Sequence, residues 1–227
     1  MVLIFDLDDT LYEEMTYVAG GFRAVALYGK EVFNWDASNS YDFMMTHLQT
    51  HGRGKVFNEW LRIHDCYSAA LVAKCVNVYR RHQPKISLFP IARQLLALYR
   101  GRCPLYLVTD GNKEVQKKKI DALKLESIFQ RIFITHSYGI RHAKPSLYCF
   151  ERIRHTERCL WSNMVYVGDN PSKDFINLNV AGAFTVRVST GLHASDLAPL
   201  GHDARVTIPN LRSLQGVLEQ WQQSIAS

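Results

Sequence analysis

Residues 2–10 read VLIFDLDDT, four apolar residues followed by three aspartates within the next four positions, Asp6 to Asp9. An apolar run that is short and unbroken predicts a strand covered on both faces, as in a parallel sheet. Three carboxylates at its end repel one another and lose hydration as the segment packs, so the arrangement is costly unless something positive sits among them. A divalent cation is the simplest candidate.

Working outward, three more runs share this character: LYLV (105–108), MVYVG (164–168) and FTVRV (184–188). The first of these ends in Thr-Asp and the second in Asp. Helical patterns lie between them: KEVQKKKIDALKL after the run at 105, SLYCFERIRH before that at 164, and SKDFINLNVAGA after it. Strand alternating with helix predicts an α/β doubly wound domain, a Rossmann-like parallel sheet between helical layers, with ligands bound at the carboxyl ends of the strands where the acids sit. The stretch from Glu13 to Lys85 breaks the rhythm with four helical segments and no convincing buried strand, so it is expected to be an all-helical insert. The two prolines of HQPKISLFP mark the return to a core formed by residues 1–12 and 86–227, leaving 13–85 as the inserted domain.

The composition narrows the partners. Of 227 residues, 47% are hydrophobic and 21% charged, which is ordinary for a globular protein. A net charge of +6 favours anionic ligands, but the basic residues are scattered, without a long run or interleaved aromatics. A small anion satisfies that charge and a nucleic acid polymer is not expected. Five cysteines, at 66, 75, 103, 149 and 159, form no CxxC pair and are odd in number, which argues for reduced thiols. No apolar stretch approaches the roughly 18 residues of a membrane span, so no membrane association and a cytoplasmic location are expected.

In order and context, DLDDT (6–10), VTDGN (108–112), AKPS (143–146) and GDNPSKD (168–174) resemble the four motifs of the haloacid dehalogenase-like hydrolase superfamily, over a core from Val2 to about Val188. The insert resembles that family's helical C1 cap. The resemblance implies that Asp6 is a nucleophile that attacks phosphorus to give an aspartyl-phosphate, a part an ionised carboxylate at a strand end can play. It makes Asp8, one strand period further on, the general acid and then base. Members that dehalogenate lack an acid there, so Asp8 points to phosphate chemistry. Asp9 and Thr10 are accounted for as caps of a following turn or helix.

By the same resemblance Thr109 holds a phosphoryl oxygen, together with backbone N–H groups of Asp110 and Gly111. Many relatives have Asn where this chain has Asp110; if only the backbone is used little changes, and if the side chain faces the phosphate affinity suffers. Lys144 neutralises the nucleophile and the phosphoryl oxygens. Asp169 is implied as a direct metal ligand, and Asp174 as an acid that ligates through water or orients the shell. The implied first shell is Asp6, the backbone carbonyl of Asp8, and Asp169. Magnesium suits such an oxygen-only set, since it keeps several waters and binds through one or two carboxylates plus substrate phosphate.

Other candidates carry less. Lys117, Lys118 and Lys119 read as a solvated helix face. The histidines at 47, 51 and 64 lack an HExxH pattern and read as surface or packing residues. In HGRGKVFN (51–58), Arg53 and Lys55 are either a basic element that contacts substrate or part of a solvated interhelical loop. The expected activity is that of a magnesium-dependent phosphatase acting on a small phosphorylated metabolite, a sugar phosphate before a nucleoside monophosphate. The rivals are a phosphomutase and a non-catalytic binding protein that keeps the fold.

Overall fold

In a computed structural model of the chain, residues 1–226 are described. They form two compact units, Met1–Glu14 together with the chain from Ile86 onward, and Met15–Lys85.

The first unit is built on a sheet of six parallel strands: β1 (Val2–Phe5), β2 (Leu105–Thr109), β3 (Arg131–Ile134), β4 (Met164–Gly168), β5 (Phe184–Val188) and β6 (Val206–Ile208), in the spatial order β3-β2-β1-β4-β5-β6. Every residue of β1, β2 and β4 is buried, which is why their sequences are unbroken apolar runs and not alternations. The edge strands differ. In β3 only Phe133 is buried, and in β6 only Ile208, so neither stands out from a loop by pattern. The sequence reading accordingly names the four inner strands and misses both edges.

The helices, in chain order, are α1 (Glu14–Phe33), α2 (Ala37–His51), α3 (Val56–Arg62), α4 (Ala69–Arg81), α5 (Pro90–Tyr99), α6 (Lys113–Ala122), α7 (Tyr148–Glu157), α8 (Ile176–Ala181) and α9 (Leu214–Ala226). On one face of the sheet Ile4, Val108 and Tyr166 pack with Cys149, Phe150 and Ile153 of α7 and Leu178 of α8. The helical pattern that begins at Ser146 becomes helix two residues later, at Tyr148. From β1 the chain reaches β2 on one side of the sheet and β4 on the other, so the strand order reverses at β1. Such a reversal opens a crevice outside the carboxyl ends of the strands.

Helix α6 corrects one expectation. Asn112 caps it, its Oδ1 accepting from the N–H groups of Glu114 and Val115 at 3.1 and 3.3 Å. Its buried stripe is Gln116, Lys119 and Ile120, at helical spacing. Lys119 is therefore not on the solvated face with Lys117; it is 3% exposed and points inward.

Among the second unit's helices, Phe22 and Val25 of α1, Met44 of α2, Trp60 of α3 and Cys75 of α4 share one apolar core. Asp36 and Ser68 cap α2 and α4 through the N–H groups of Asn39 (2.7 Å) and Leu71 (3.1 Å). Among the described residues no helix is long and apolar enough to cross a membrane.

Candidate active site

The end of β1 and the end of β4 meet at Asp6 and Asp169. The Asp6 N–H donates to the Val167 carbonyl at 2.8 Å, continuing the strand pairing one residue past β1 and fixing where the Asp6 side chain leaves the sheet. Asp174 is drawn back to the same place, its Oδ2 accepting from the Asn170 N–H at 3.0 Å. Glycine at 168 permits this approach, since a Cβ there would lie 2.5 Å from Asp174 Oδ2. Asp6, Asp169 and Asp174 are all buried, and one carboxylate oxygen from each lies within 4.8 Å of the others. Lys144, from the loop before α7, is buried beside them, with Nζ 3.0 Å from Asp6 Oδ1 and 2.8 Å from Asp174 Oδ1. Its Nζ also donates to the Tyr166 hydroxyl at 2.8 Å, and that hydroxyl donates to Asp174 Oδ1 at 3.2 Å.

Charge is out of balance in this cluster. Burial pushes the Asp6 carboxyl up to about 6, with Lys144 pulling it down and Asp174 pushing it up. Burial, then Asp6 and Asp174, push the Asp169 carboxyl up to about 9. Lys144 is raised well above the usual lysine range, because Asp174 and Asp6 outweigh the burial that would neutralise it. A set of buried carboxylates that resists full ionisation even with a lysine in contact is suited to a further positive charge. The donors are all carboxylate oxygen, which fits magnesium.

Asp8 is held elsewhere. Its Oδ1 accepts from the Tyr12 hydroxyl at 2.6 Å and Lys119 Nζ at 2.7 Å, and its Oδ2 accepts from Gln116 Nε2 at 2.9 Å. Its carboxylate is therefore not among the acids that Asp6, Asp169 and Asp174 bring together. Thr109, at the end of β2, is buried and joined to Asp8 through Gln116, whose Nε2 also donates to Thr109 Oγ1 at 2.6 Å. Asp9 is a tie: Oδ1 accepts from the Glu14 N–H at 2.8 Å and Oδ2 from the Leu192 N–H at 3.0 Å.

The Asp110 side chain is engaged by groups of the chain itself. Its Oδ1 accepts from Thr135 Oγ1 at 2.7 Å and the Lys144 N–H at 3.1 Å, and its Oδ2 from Lys173 Nζ at 3.2 Å. The carboxylate thus pins the Lys144 loop. Burial would raise its pKa, but Lys144 and Lys173 outweigh that and hold it below the usual carboxylate range. Gly111 follows with φ 134°, a conformation that side chains other than glycine's rarely adopt.

Several of these groups escape the sequence reading. Tyr166 looks like one more apolar strand residue, Lys173 like a polar residue inside a motif, and Lys119 like one of three exposed lysines. The signal for Lys119 and Gln116 is their spacing with Ile120 on one helical stripe. Arg53 and Lys55 lie in an exposed segment between α2 and α3, with Lys55 at φ 66°. The histidines pack: His47 and His51 stack at 4.7 Å and His64 stacks on Trp35 at 3.8 Å.

A sequence model described as haloacid dehalogenase-like hydrolase matches residues 1–182. The glyceraldehyde 3-phosphate phosphatase of Methanocaldococcus jannaschii is 26% identical over 197 residues, covering 83% of this chain and 85% of that one. Its namesake from Pyrococcus furiosus is 27% identical over 230 residues, covering 96% and 93%. Among solved structures, the HAD hydrolase YfnB of Bacillus subtilis, bound to magnesium, superposes with a TM-score of 0.67 at 19% identity, covering 96% of this chain and 97% of that one.

Proposed function

The chain belongs to the haloacid dehalogenase-like hydrolases, and we propose that it is a magnesium-dependent phosphatase of small phosphomonoesters that works through an aspartyl-phosphate on Asp6. One observation carries the reading: Asp6, Lys144, Asp169 and Asp174 meet at the strand-order reversal, with one buried ammonium among three carboxylates. Asp6, Asp169 and the backbone carbonyl of Asp8 would hold the cation, with Asp174 beside them. Bound there, it supplies charge neutralisation for an incoming phosphate.

In the first step an Asp6 oxygen bonds to phosphorus, the ester P–O bond breaks, and Asp8 gives its proton to the leaving alkoxide. In the second, Asp8 takes a proton from water as the water oxygen bonds to phosphorus, and the Asp6–phosphorus bond breaks to release inorganic phosphate. Lys144 keeps Asp6 ionised at the start and returns as its partner at the end. The Thr109 hydroxyl and the N–H groups of Asp110 and Gly111 are assigned to the phosphoryl oxygens. Arg53 and Lys55 are assigned to the non-reacting part of the substrate, as its specificity element.

A sugar phosphate is favoured as substrate, because two relatives are named for a triose phosphate. A cytoplasmic location is consistent with five cysteines that are all free thiols. The test is phosphate release from a panel of triose and hexose phosphates and nucleoside monophosphates, with magnesium and with excess chelator. Release from sugar phosphates only when magnesium is present supports the reading. A preference for nucleotides would make the chain a nucleotidase, isomer formation that depends on a bisphosphate would make it a mutase, and full activity in chelator would overturn the metal requirement.

A further inference from the structure

The proposed reaction uses Asp8 as a proton carrier but does not explain why a lysine and a glutamine are buried against it. A carboxylate offers about four lone-pair positions, two on each oxygen. Three are taken. Tyr12 and Lys119 occupy Oδ1, at 2.6 and 2.7 Å, and Gln116 takes one position on Oδ2 at 2.9 Å. One lone pair remains, on Oδ2.

Gln116 adds a second constraint. Its amide nitrogen has two protons, and its two contacts, Thr109 Oγ1 at 2.6 Å and Asp8 Oδ2 at 2.9 Å, account for both. The reverse amide orientation would set the Gln116 carbonyl oxygen against the carboxylate, a repulsive contact. The Thr109 hydroxyl therefore accepts from Gln116, and its own proton is left to donate to another acceptor.

We infer that Gln116 and Lys119 are positioning residues of the reaction: together they fix Asp8 with Oδ2 as its working oxygen and fix Thr109 as a donor to the phosphoryl group. Both residues come from one face of α6, so a single rigid element sets the spacing between the proton carrier and the hydroxyl. This inference rests on the proposed phosphatase activity.

The test compares Lys119→Met, Lys119→Arg and Gln116→Met with the wild-type chain on an alkyl phosphate and on p-nitrophenyl phosphate. An alkoxide leaving group needs a proton from Asp8, whereas p-nitrophenolate leaves almost unaided. If Lys119 positions Asp8, Lys119→Met lowers kcat on the alkyl ester by about tenfold or more and changes kcat on the aryl ester far less, and Lys119→Arg recovers part of the loss. Gln116→Met, which removes a neutral donor and leaves no unpaired buried charge, shows a loss on both esters from the freed Thr109 hydroxyl and a larger one on the alkyl ester; it carries the test if Lys119→Met does not fold. Equal losses on the two esters, or none, in variants with wild-type melting would overturn the inference and leave the phosphatase reading standing. A wild-type chain that releases phosphate from neither ester would overturn both.

Discussion

Asp169 is the residue whose surroundings ask most plainly for a cation. Its carboxyl is raised to about 9 and that of Asp6 to about 6, against 3.8 for an unperturbed aspartate. An acid with a raised folded-state pKa binds protons more tightly folded than unfolded. Its stabilising contribution is complete below 3.8 and is lost as pH climbs through about 6 for Asp6 and about 9 for Asp169. Without metal, stability should fall across that window. Magnesium needs the ionised forms, so the rise in melting temperature on adding it should be larger near about pH 8 than near about pH 5.5. Thermal denaturation with and without magnesium at the two pH values checks this, and a shift independent of pH would refute it. Lys144→Ala removes the ammonium in contact with Asp6 and Asp174, which should cost about 3–5 kcal/mol at neutral pH and less in acid, where the carboxyls protonate. Denaturant titration at both pH values measures the difference. The strand-end acids were legible from sequence because like charge is crowded after an apolar run. Tyr166 and Lys119 were not: a tyrosine in a buried strand reads as apolar, and a lysine among lysines reads as solvated until the stripe it shares with Gln116 and Ile120 is traced.

At the scale of elements, the inner strands declare themselves and the edge strands do not. VLIF, LYLV and MVYVG are buried on both faces and cannot alternate, whereas RIFI and VTI present one buried residue each and depend on their neighbours for their conformation. The last residue of β4 shows how an element shapes the site. Gly168→Ala would place a Cβ 2.5 Å from Asp174 Oδ2 and push that carboxylate off the Asn170 N–H and away from Lys144. The expected result is a loss of about ten- to a hundredfold in magnesium affinity or activity, with a stability change of about 1–3 kcal/mol. Magnesium-dependence curves of the variant measure it, and an unchanged curve would mean that Asp174 does not organise the metal shell.

At the scale of the whole molecule, the strand-end acids Asp6, Asp169 and Asp174 all belong to the first unit, and the second unit is helical. The proposed division is chemistry in the first and substrate choice in the second. Arg53→Ala and Lys55→Ala should then reduce kcat/KM on the best sugar phosphate more than on p-nitrophenyl phosphate, by about 1–3 kcal/mol if either makes a charge-assisted hydrogen bond to the substrate. Equal losses on both would assign these residues to stability, and no loss would leave them on a solvated loop. The claim on which all of this depends is that the phosphoryl group passes through Asp6. It is tested most directly by intact-mass and peptide analysis of the protein quenched in acid during turnover of its best substrate. The account predicts one added phosphoryl group on the peptide that contains Asp6, and neither adduct nor turnover in a folded Asp6→Asn variant. A phosphoryl group on any other residue, or an Asp6→Asn variant that turns over at the wild-type rate, would contradict it.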